Sequence, residues 1–384
     1  TMLMTSCAMS PMNRAMMMGM MGQGMDRGAP FDSAAFMGDL NGFNTDAISD
    51  FSDIIDDIKD KKVVYVGEQH DDYGHHRVQL EVIRSLYDRG VKISVGMEMF
   101  QRPFQPVIDS YMKGEISERE FLKDSEYFDR WSYNYGFYRP IIQFCKENFI
   151  PLVALNMKKE ISRKVAKVGI DGLSPEEKEL LPDEIDRSNS IYEARLNEIY
   201  AMHARGAVDG FNNFFSSQLI WDETMSETAY KFLKDNPERH MVVLAGVGHI
   251  MYGDGIPDRV ARRGGWDQSL IINAGSIDIS DNDIGDYILF PEKIMEPFSY
   301  KAGVALKALE SGGLLVEKIF DGTPAETAEM KKGDVVLTVN GNTMKTVGDF
   351  RIETALKNTD ESLTLEIVRK KFLFGAKTIQ VTLK

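Results

Sequence analysis

Short apolar runs rich in β-branched residues alternate along this chain with stretches in which apolar residues recur at helical spacing. The first run, Val63-Val64-Tyr65-Val66, ends at a glycine, and Val78, Val82, Ile83 and Leu86 then follow the helical period. A second β-branched run at 93–95 comes next. Strand, helix and strand in this order predict a β-α-β unit.

The same alternation returns three more times. Apolar runs occur at 152–155, 241–245 and 269–272, and a helix-like stretch at 45–58 precedes the first strand. Buried strands that alternate with helices predict an α/β fold with a mostly parallel sheet. The long region 174–234 has helical periodicity and predicts a helical insertion beside the sheet.

A change of pattern near residue 295 predicts a domain boundary. Residues 284–300 contain Pro291 and Pro297 and follow neither period, and short strand-like runs with Gly-rich turns come after them. We therefore expect a Met-rich flexible leader at 1–30, an α/β domain at 31–295 and a smaller domain at 296–384.

Composition narrows the functional classes. The chain has 384 residues, of which 43% are hydrophobic and 27% charged, and no run approaches the length of a transmembrane helix. A net charge of −14 argues against nucleic acid as a partner. The two cysteines, Cys7 and Cys145, do not predict a disulfide framework.

Polar side chains follow the predicted strands at the edge where parallel sheets bind ligands. Glu68 and His70 follow the first strand, Glu98 the second, Asn156 the third and His249 the fourth. Because the carboxyl ends of parallel strands meet at one rim, we expect these residues to line one cleft.

Imidazole and carboxylate groups suit Zn, Mn or Fe, so His70, His249 and Glu98 are candidate metal ligands. A metal with a spare position could hold a water for hydrolysis, with Glu68 or Glu98 as the catalytic general base. A helix cap or a salt bridge explains either carboxylate equally well. His75 and His76 are further candidates that also fit exposed positions at a helix start.

Two other segments are unusual in composition. Residues 131–140 hold five aromatic side chains and an arginine, and Tyr135, Tyr138 and Arg139 could line a flat apolar ligand or ligate ferric haem. Tyr73 is another candidate phenol, and the alternative for the segment is a loop buried by its own rings. Within 218–225, helical spacing places Gln218, Asp222 and Met225 on one face.

Five segments in family order resemble the ChaN-like haem-binding uptake family of the Tiki/TraB/erythromycin-esterase superfamily. They are Val64-Tyr65-Val66-Gly67-Glu68-Gln69-His70, Gly96-Met97-Glu98-Met99-Phe100, Phe137-Tyr138-Arg139-Pro140, Gln218-Leu219-Ile220-Trp221-Asp222-Glu223-Thr224-Met225 and Leu244-Ala245-Gly246-Val247-Gly248-His249. The resemblance implies an α/β fold, haem or iron handling and, through the superfamily, a metal-dependent hydrolytic site. It implies Glu68, His70, Glu98 and His249 as the metal or active-site set.

The C-terminal region resembles the PDZ domains of HtrA-type proteases. The matching pieces are Gly313-Leu314-Leu315-Val316, Gly322-Thr323-Pro324-Ala325-Glu326 and Lys332-Gly333-Asp334-Val335-Val336-Leu337-Thr338-Val339-Asn340-Gly341. The resemblance implies a β-sandwich or barrel with short helices that binds the C-terminal peptide of a partner by strand addition. The peptide-binding loop would contain Gly303, Val304, Ala305 and Leu306, and we expect residues 299–384 to fold alone.

Three functions remain open at this stage. The first is a haem- or iron-binding protein that docks to a partner through its PDZ module. The second is a metal-dependent hydrolase of a peptide or ester, so the residues leave open whether the protein is an enzyme. The third is a PDZ scaffold whose α/β domain is inactive. The resemblance implies a cell-envelope location, in the periplasm or as a membrane-anchored lipoprotein, with a plastid-like organelle as the alternative and a homodimer as a candidate assembly.

Overall fold

The computed structural model of the chain describes residues 50–203, 210–275, 283–292, 300–357, 361–370 and 375–384. The predicted leader at 1–30 and the first positions of the helix predicted at 45–58 lie outside these residues. The described chain divides into two compact units. Unit 1 comprises residues up to 106 together with 141–292, and unit 2 comprises 107–140 together with 300–384.

The helices follow the order that the periodicity predicts, with several short additions. In chain order they are α1 (Phe51–Ile58), α2 (Tyr73–Asp88), α3 (Gln105–Met112), α4 (Glu118–Asp124), α5 (Tyr127–Arg130), α6 (Tyr135–Glu147), α7 (Lys159–Val168), α8 (Pro175–Lys178), α9 (Ser190–His203), α10 (Phe211–Asp235), α11 (Ile256–Gly264), α12 (Pro324–Thr327) and α13 (Val347–Leu356). Short 3-10 turns at Arg102–Phe104, Val247–His249 and Met251–Gly253 complete the helical segments.

Unit 1 is built on a six-stranded sheet. Its strands are β1 (Val63–Glu68), β2 (Ile93–Gln101), β3 (Leu152–Asn156), β4 (His240–Gly246), β5 (Gln268–Asn273) and β6 (Tyr287–Leu289). The spatial order is β3-β2-β4-β1-β5-β6, and every pairing is parallel. The predicted α/β fold is therefore confirmed, while β6 lies in a region where the sequence predicted no strand.

The sheet is covered on its faces, as its apolar runs require. Every residue of β1, β2 and β3 is buried. One core cluster joins alternate residues of β1 and β4 to Met225, Ala229 and Leu233 of α10. A strand that is apolar on both faces lowers the free energy of the folded state only when helices cover both faces, which explains the continuous apolar runs.

The helical insertion predicted between β3 and β4 consists chiefly of α9 and the 25-residue α10. Helix α2 follows β1 and is capped by Asp72, the residue before its first turn. The Asp72 side chain accepts a hydrogen bond of 2.8 Å from the Gly74 amide. This cap fixes the start of α2 directly after the polar end of β1.

Unit 2 contains a sheet of different type. Its strands are β7 (Val304–Ala308), β8 (Leu314–Ile319), β9 (Val335–Val339), β10 (Asn342–Thr343), β11 (Leu363–Lys370) and β12 (Ala376–Leu383). The order β12-β11-β9-β8-β7 is antiparallel throughout, and β10 pairs with β9. Leu314, Val336, Leu365 and Phe350 contribute to its core. This arrangement confirms the second, PDZ-like part of the predicted fold.

Unit 2 also includes residues 107–140, which the sequence placed inside the α/β domain. This segment carries most of α3, all of α4 and α5 and the start of α6. The unit boundaries fall inside α3 and α6, where the apolar pattern is continuous and gives no sign of a change. Among the helices that the structure describes, none is long and apolar enough to cross a membrane.

Candidate functional site

Three neighbouring strands of unit 1 bring the ionisable residues together. Strands β2, β4 and β1 lie side by side in the sheet, and their carboxyl ends carry Glu98, the turn to His249, and Glu68 with His70. Parallel strands end at the same edge, so the topology concentrates these side chains at one rim.

Glu68 lies at the centre of a buried hydrogen-bonded group. Its Oε1 is 2.6 Å from Nδ1 of His70, and its Oε2 accepts a 2.7 Å hydrogen bond from Nε2 of Gln79. Nδ1 of His76 is 3.1 Å from the same Oε2. Burial alone would raise the pKa of Glu68, but the charge of His76 and the bonds from both imidazoles hold that pKa well below its usual range. Glu68 is therefore a stable anion.

Glu98 lies beside the end of β4. Its Oε2 accepts a 2.7 Å hydrogen bond from the Gly246 amide, and its backbone carbonyl accepts one of 3.1 Å from Asn156. Among the described residues, its Oε1 is buried without a hydrogen-bond partner, and the nearest cationic group is Nε2 of His249 at 3.6 Å. An unsatisfied buried carboxylate oxygen is costly, which marks this position as one that a ligand or a water could satisfy.

His249 is hydrogen-bonded to Asp222 of the long helix α10. Its Nδ1 is 2.6 Å from Oδ1 of Asp222, and the Tyr192 hydroxyl donates to Oδ2 of the same carboxylate. Burial would lower the pKa of His249, but Asp222 and Glu98 outweigh it and raise the pKa to about 9. The imidazole is therefore protonated at neutral pH and presents a donor.

Gly246 joins the two carboxylate groups into one site. A Cβ atom at this glycine would lie 2.9 Å from Cε1 of His70 and 3.5 Å from Oε2 of Glu98. The His70 ring thus lies over the bare Gly246 backbone, on the same side as Glu98. We call Glu68, His70, His76, Glu98, Asp222 and His249 the rim cluster.

A second buried ion-pair group anchors α10 next to Asp222. Glu223 is fully buried, and its oxygens accept hydrogen bonds of 2.8 Å from Arg262 and 2.5 Å from Arg263 on α11. Arg259 of α11 lies 3.3 Å from the same carboxylate and over the ring of Tyr192. These contacts fix the helix that positions Asp222, and a buried charge so paired is expensive to disturb.

Tyr73 and His75, two further candidate ligand-lining residues after β1, lie at the start of α2. Tyr73 is half-buried at the first position of α2. His75 is buried, its Nδ1 accepts from the Gln69 amide at 2.9 Å, and its Nε2 is 3.2 Å from the Ala274 carbonyl. Burial lowers the pKa of His75, so it is a neutral residue of the structure around the rim.

No contact with the rim cluster is described for the other predicted residues. Gln218 is half-buried on α10, while Met225 is fully buried in the core of unit 1. Tyr135, Tyr138 and Arg139 belong to unit 2, where the Tyr135 hydroxyl and the Arg139 guanidinium donate to Glu118. Their role as haem-lining residues stays a prediction.

The predicted metal site receives no support from this geometry. Across the described parts of the chain, no group of three or more His, Cys, Asp or Glu side chains is arranged to hold a metal ion.

Two residues that contact the rim cluster were not predicted from the sequence. Gln79 follows His76 by three positions and so shares its face of α2, a spacing that could have indicated it. Tyr192 lies within the predicted helical insertion, and the partner of its buried hydroxyl is revealed only by the fold.

The predicted peptide-binding loop of unit 2 leads into an edge strand. Gly303 has a φ of +78°, and Val304, Ala305 and Leu306 follow it in β7, which has a described partner strand on one side only. The Phe320 amide donates to the Gly303 carbonyl at 2.9 Å. An edge strand after such a turn has main-chain groups for strand addition.

Two segments of the chain match known families. Residues 54–260 match the sequence model of the family described as haem-binding uptake, Tiki superfamily, ChaN, and residues 294–368 match that of the PDZ domain. The first match covers more than half of the chain, so this protein belongs to the ChaN haem-binding uptake family.

Individual relatives cover only parts of the chain. The chloroplastic protein RETICULATA-RELATED 5 of Arabidopsis thaliana is 26% identical over 226 residues, which are 53% of this chain and 29% of that protein. A probable periplasmic DegP-like serine endoprotease of Chlamydia pneumoniae is 29% identical over 76 residues, 20% of this chain and 16% of the protease. The chain thus matches less than a third of either relative.

A solved structure supports the fold of unit 1. The structure of ChaN of Campylobacter jejuni, described as showing cofacial heme binding, aligns with a TM-score of 0.50 at 17% identity, over 62% of this chain and 92% of that one. At this identity the likeness concerns the fold, which confirms the predicted ChaN-like architecture.

Proposed function

We propose that unit 1 binds haem at the rim beyond β1, β2 and β4, and that unit 2 docks the protein to the C-terminal peptide of a partner. The observation that carries the proposal is the family match over residues 54–260, which ends eleven residues after His249 and includes the whole rim cluster. ChaN of Campylobacter jejuni, which shares the fold of unit 1, is a haem-binding protein.

Among the candidate ligands, Tyr73 fits haem iron best. Ferric haem accepts phenolate or neutral imidazole as an axial ligand. Nδ1 of His249 is hydrogen-bonded to Asp222, and His75 uses both ring nitrogens within the fold. Tyr73 is half-buried at the first position of α2, directly after the polar end of β1. Tyr73 is therefore our proposed ligand for the iron that bound haem would supply.

The test is a titration with haemin, followed by the Soret band and by the visible phenolate-to-iron band. We expect Tyr73→Phe to weaken haemin binding about tenfold or more, the loss of one strong contact, and to remove the phenolate band. Tyr87→Phe is the matched control, because Tyr87 lies on the same helix about 20 Å further along. Equal binding and equal spectra for both variants would show that Tyr73 is not the ligand.

Hydrolysis of an ester is a second candidate, favoured by the unsatisfied Oε1 of Glu98 opposite the protonated His249. Glu98 would take a proton from water, the hydroxyl would attack the carbonyl carbon, and His249 would protonate the departing alkoxide. We would test wild type and Glu98→Gln on p-nitrophenyl esters. Turnover that the variant lacks would support this activity, and equal rates would remove it.

The proposed role of unit 2 rests on the positive φ of Gly303 and on the edge strand β7. Backbone amides of such a turn can bind a terminal carboxylate without a cationic side chain. Screening a random C-terminal peptide library on the full chain, in free-acid and amidated form, tests this role. We expect amidation to abolish most binding.

We also propose a plastid or a bacterial envelope as the setting, with the plastid favoured. The relative that matches 53% of this chain is named as chloroplastic, whereas the periplasmic relative matches only 20% of it. Microscopy of the full-length protein with a C-terminal fluorescent tag would decide between them.

A further inference from the structure

The helical segment 107–140, which we call the helical arm, packs on α13, and α13 also contacts the edge strand β7. A peptide added to β7 would therefore lie in a groove that α13 borders. The arm belongs to the same compact unit as β7 and α13. We infer that the arm and the PDZ domain form one peptide-binding module, in which the arm holds α13 in place. The inference rests on the proposed peptide binding of unit 2 and adds a part that a PDZ domain alone does not contain.

Helix α13 has two buried faces, and only one of them faces the PDZ core. Val347 and Phe350 belong to the core or its border. Ile352 is also buried, although it lies outside that core cluster, and Glu353 is only 7% exposed. A helix buried on a second face has a second element packed against it.

The second element is the arm, and the contact is specific. Arg119 of α4 donates from Nε to Oε1 of Glu353 at 2.7 Å, and Asn342 donates to the same oxygen at 3.1 Å. This carboxylate therefore ties together α4, β10 and α13. A charge-assisted bond to a buried carboxylate is among the stronger polar contacts.

The start of α13 contacts the arm as well. A Cβ atom at Gly348 would lie 3.0 and 3.1 Å from the carboxylate oxygens of Asp129, so this carboxylate lies close to the first turn of α13. Negative charge is favourable at a helix N-terminus. Glycine at 348 thus permits an approach that a larger residue would prevent.

The arm has several internal contacts of its own. Glu118 accepts two hydrogen bonds from Arg139, at 2.8 and 2.7 Å, and one of 2.8 Å from the Tyr135 hydroxyl. The rings of Tyr111 and Phe121 stack at 4.5 Å. Within 131–140, the ring of Tyr135 packs edge-on against Tyr127 and the ring of Tyr138 packs edge-on against Trp131, so these aromatic residues contribute to the internal packing of the arm.

Coupling of this kind is reciprocal, because a ligand that requires α13 in place also stabilises whatever holds it. A peptide in the groove should protect the arm from hydrogen exchange, and loss of the Arg119 contact should weaken peptide binding. Neither effect is expected if the arm merely touches a domain that is complete without it.

The experiment uses the full chain and two readouts. Hydrogen exchange, followed by mass spectrometry, measures the opening of α13 in wild type, Arg119→Ala, Glu353→Gln and Lys123→Ala. Lys123 is exposed on α4 and serves as the control. We expect Arg119→Ala and Glu353→Gln to speed exchange of α13 about tenfold, to weaken a library-selected free-acid peptide about as much, and to be less than additive together.

Two results would decide the matter. Exchange in α13 and peptide affinity that match the Lys123→Ala control in both test variants would overturn the inference. If the library yields no binding peptide at all, the proposed function of unit 2 fails, while faster exchange of α13 would still establish the arm as its support.

Discussion

Nδ1 of His249 lies 2.6 Å from Oδ1 of Asp222, and the Tyr192 hydroxyl donates to the other oxygen of that carboxylate. The imidazole therefore lies between two acids, since its Nε2 is 3.6 Å from Glu98. Each acid favours the protonated ring against the cost of burial. The charge state of His249 is thus a property of the site that can be measured directly.

We predict that His249 titrates near pH 9 in the folded protein. Its pKa is raised to about 9 from 6.5, so its contribution to stability is fully present below pH 6.5 and is lost as pH rises through 9. At about 1.4 kcal/mol per pKa unit, the contribution is on the order of 3 kcal/mol.

NMR titration of the imidazole protons, with His249→Gln for assignment, measures this pKa. Urea unfolding at pH 6 and pH 9.5 measures the stability term, and the stability lost between these two values should be smaller in His249→Gln than in wild type. A His249 pKa near 6.5 would contradict the prediction.

Glu98→Gln should lower the pKa of His249 by about one unit or more, because an opposite charge at such a distance typically shifts a pKa by about 1–3 units. The glutamine can still accept from the Gly246 amide, so the fold should persist. Glu81→Gln removes an exposed carboxylate of the same unit and is the control. The same NMR titration measures the His249 pKa in both variants. Identical titration curves would mean that Glu98 does not raise this pKa.

Strands β1 to β5 of unit 1 were predictable because each contains a short apolar run closed by glycine or a polar residue, whereas β6 lies in a stretch that follows neither period. The rim followed from them, since strand ends of a parallel sheet converge. The protonation of His249 could not be predicted, because Asp222 lies 27 positions away in a helix whose orientation depends on Glu223 and three arginines of α11.

The boundary of unit 2 was harder to predict for a related reason. Residues 131–140 of this segment have the composition of a ligand-lining aromatic segment. Nothing in the sequence indicates the contact of Arg119 with Glu353, which lies 234 positions later. Long-range ion pairs leave no periodic pattern in a single sequence. The expectation that residues 299–384 fold alone does not take this contact into account.

Gly246→Ala should displace His70, because an added Cβ would lie 2.9 Å from its ring, and that ring is hydrogen-bonded to Glu68. We expect a loss of stability of about 1–3 kcal/mol, as for overpacking elsewhere, and weaker haemin binding. Gly248→Ala is the control in the same turn, since its Cβ would meet no atom within 4 Å. Urea unfolding of both variants tests this, and similar stabilities would show that the rim tolerates a methyl group at Gly246.

Gly303→Ala should abolish peptide binding by unit 2. Gly303 has a φ of +78°, and an added Cβ would overlap Cβ of Thr323, so the variant suffers both backbone strain and a collision. Thr323 cannot easily withdraw, because its hydroxyl donates to the Phe320 carbonyl at 2.6 Å and the Phe320 amide donates to the Gly303 carbonyl. The turn that would present amides to a carboxylate must therefore change shape.

Gly312→Ala, in the hairpin that follows, is the control that has the backbone strain without the collision. Gly312 has a φ of +88°, and its Cβ would meet nothing within 4 Å, so this variant carries only the backbone cost of about 1–2 kcal/mol. Fluorescence anisotropy with a library-selected free-acid peptide should show near-normal affinity for Gly312→Ala and none for Gly303→Ala, with both proteins folded by circular dichroism. Because the amidated peptide lacks the group that the turn would bind, it should bind neither variant nor wild type. If Gly303→Ala retained the affinity of Gly312→Ala, the carboxylate would have to be bound elsewhere on unit 2.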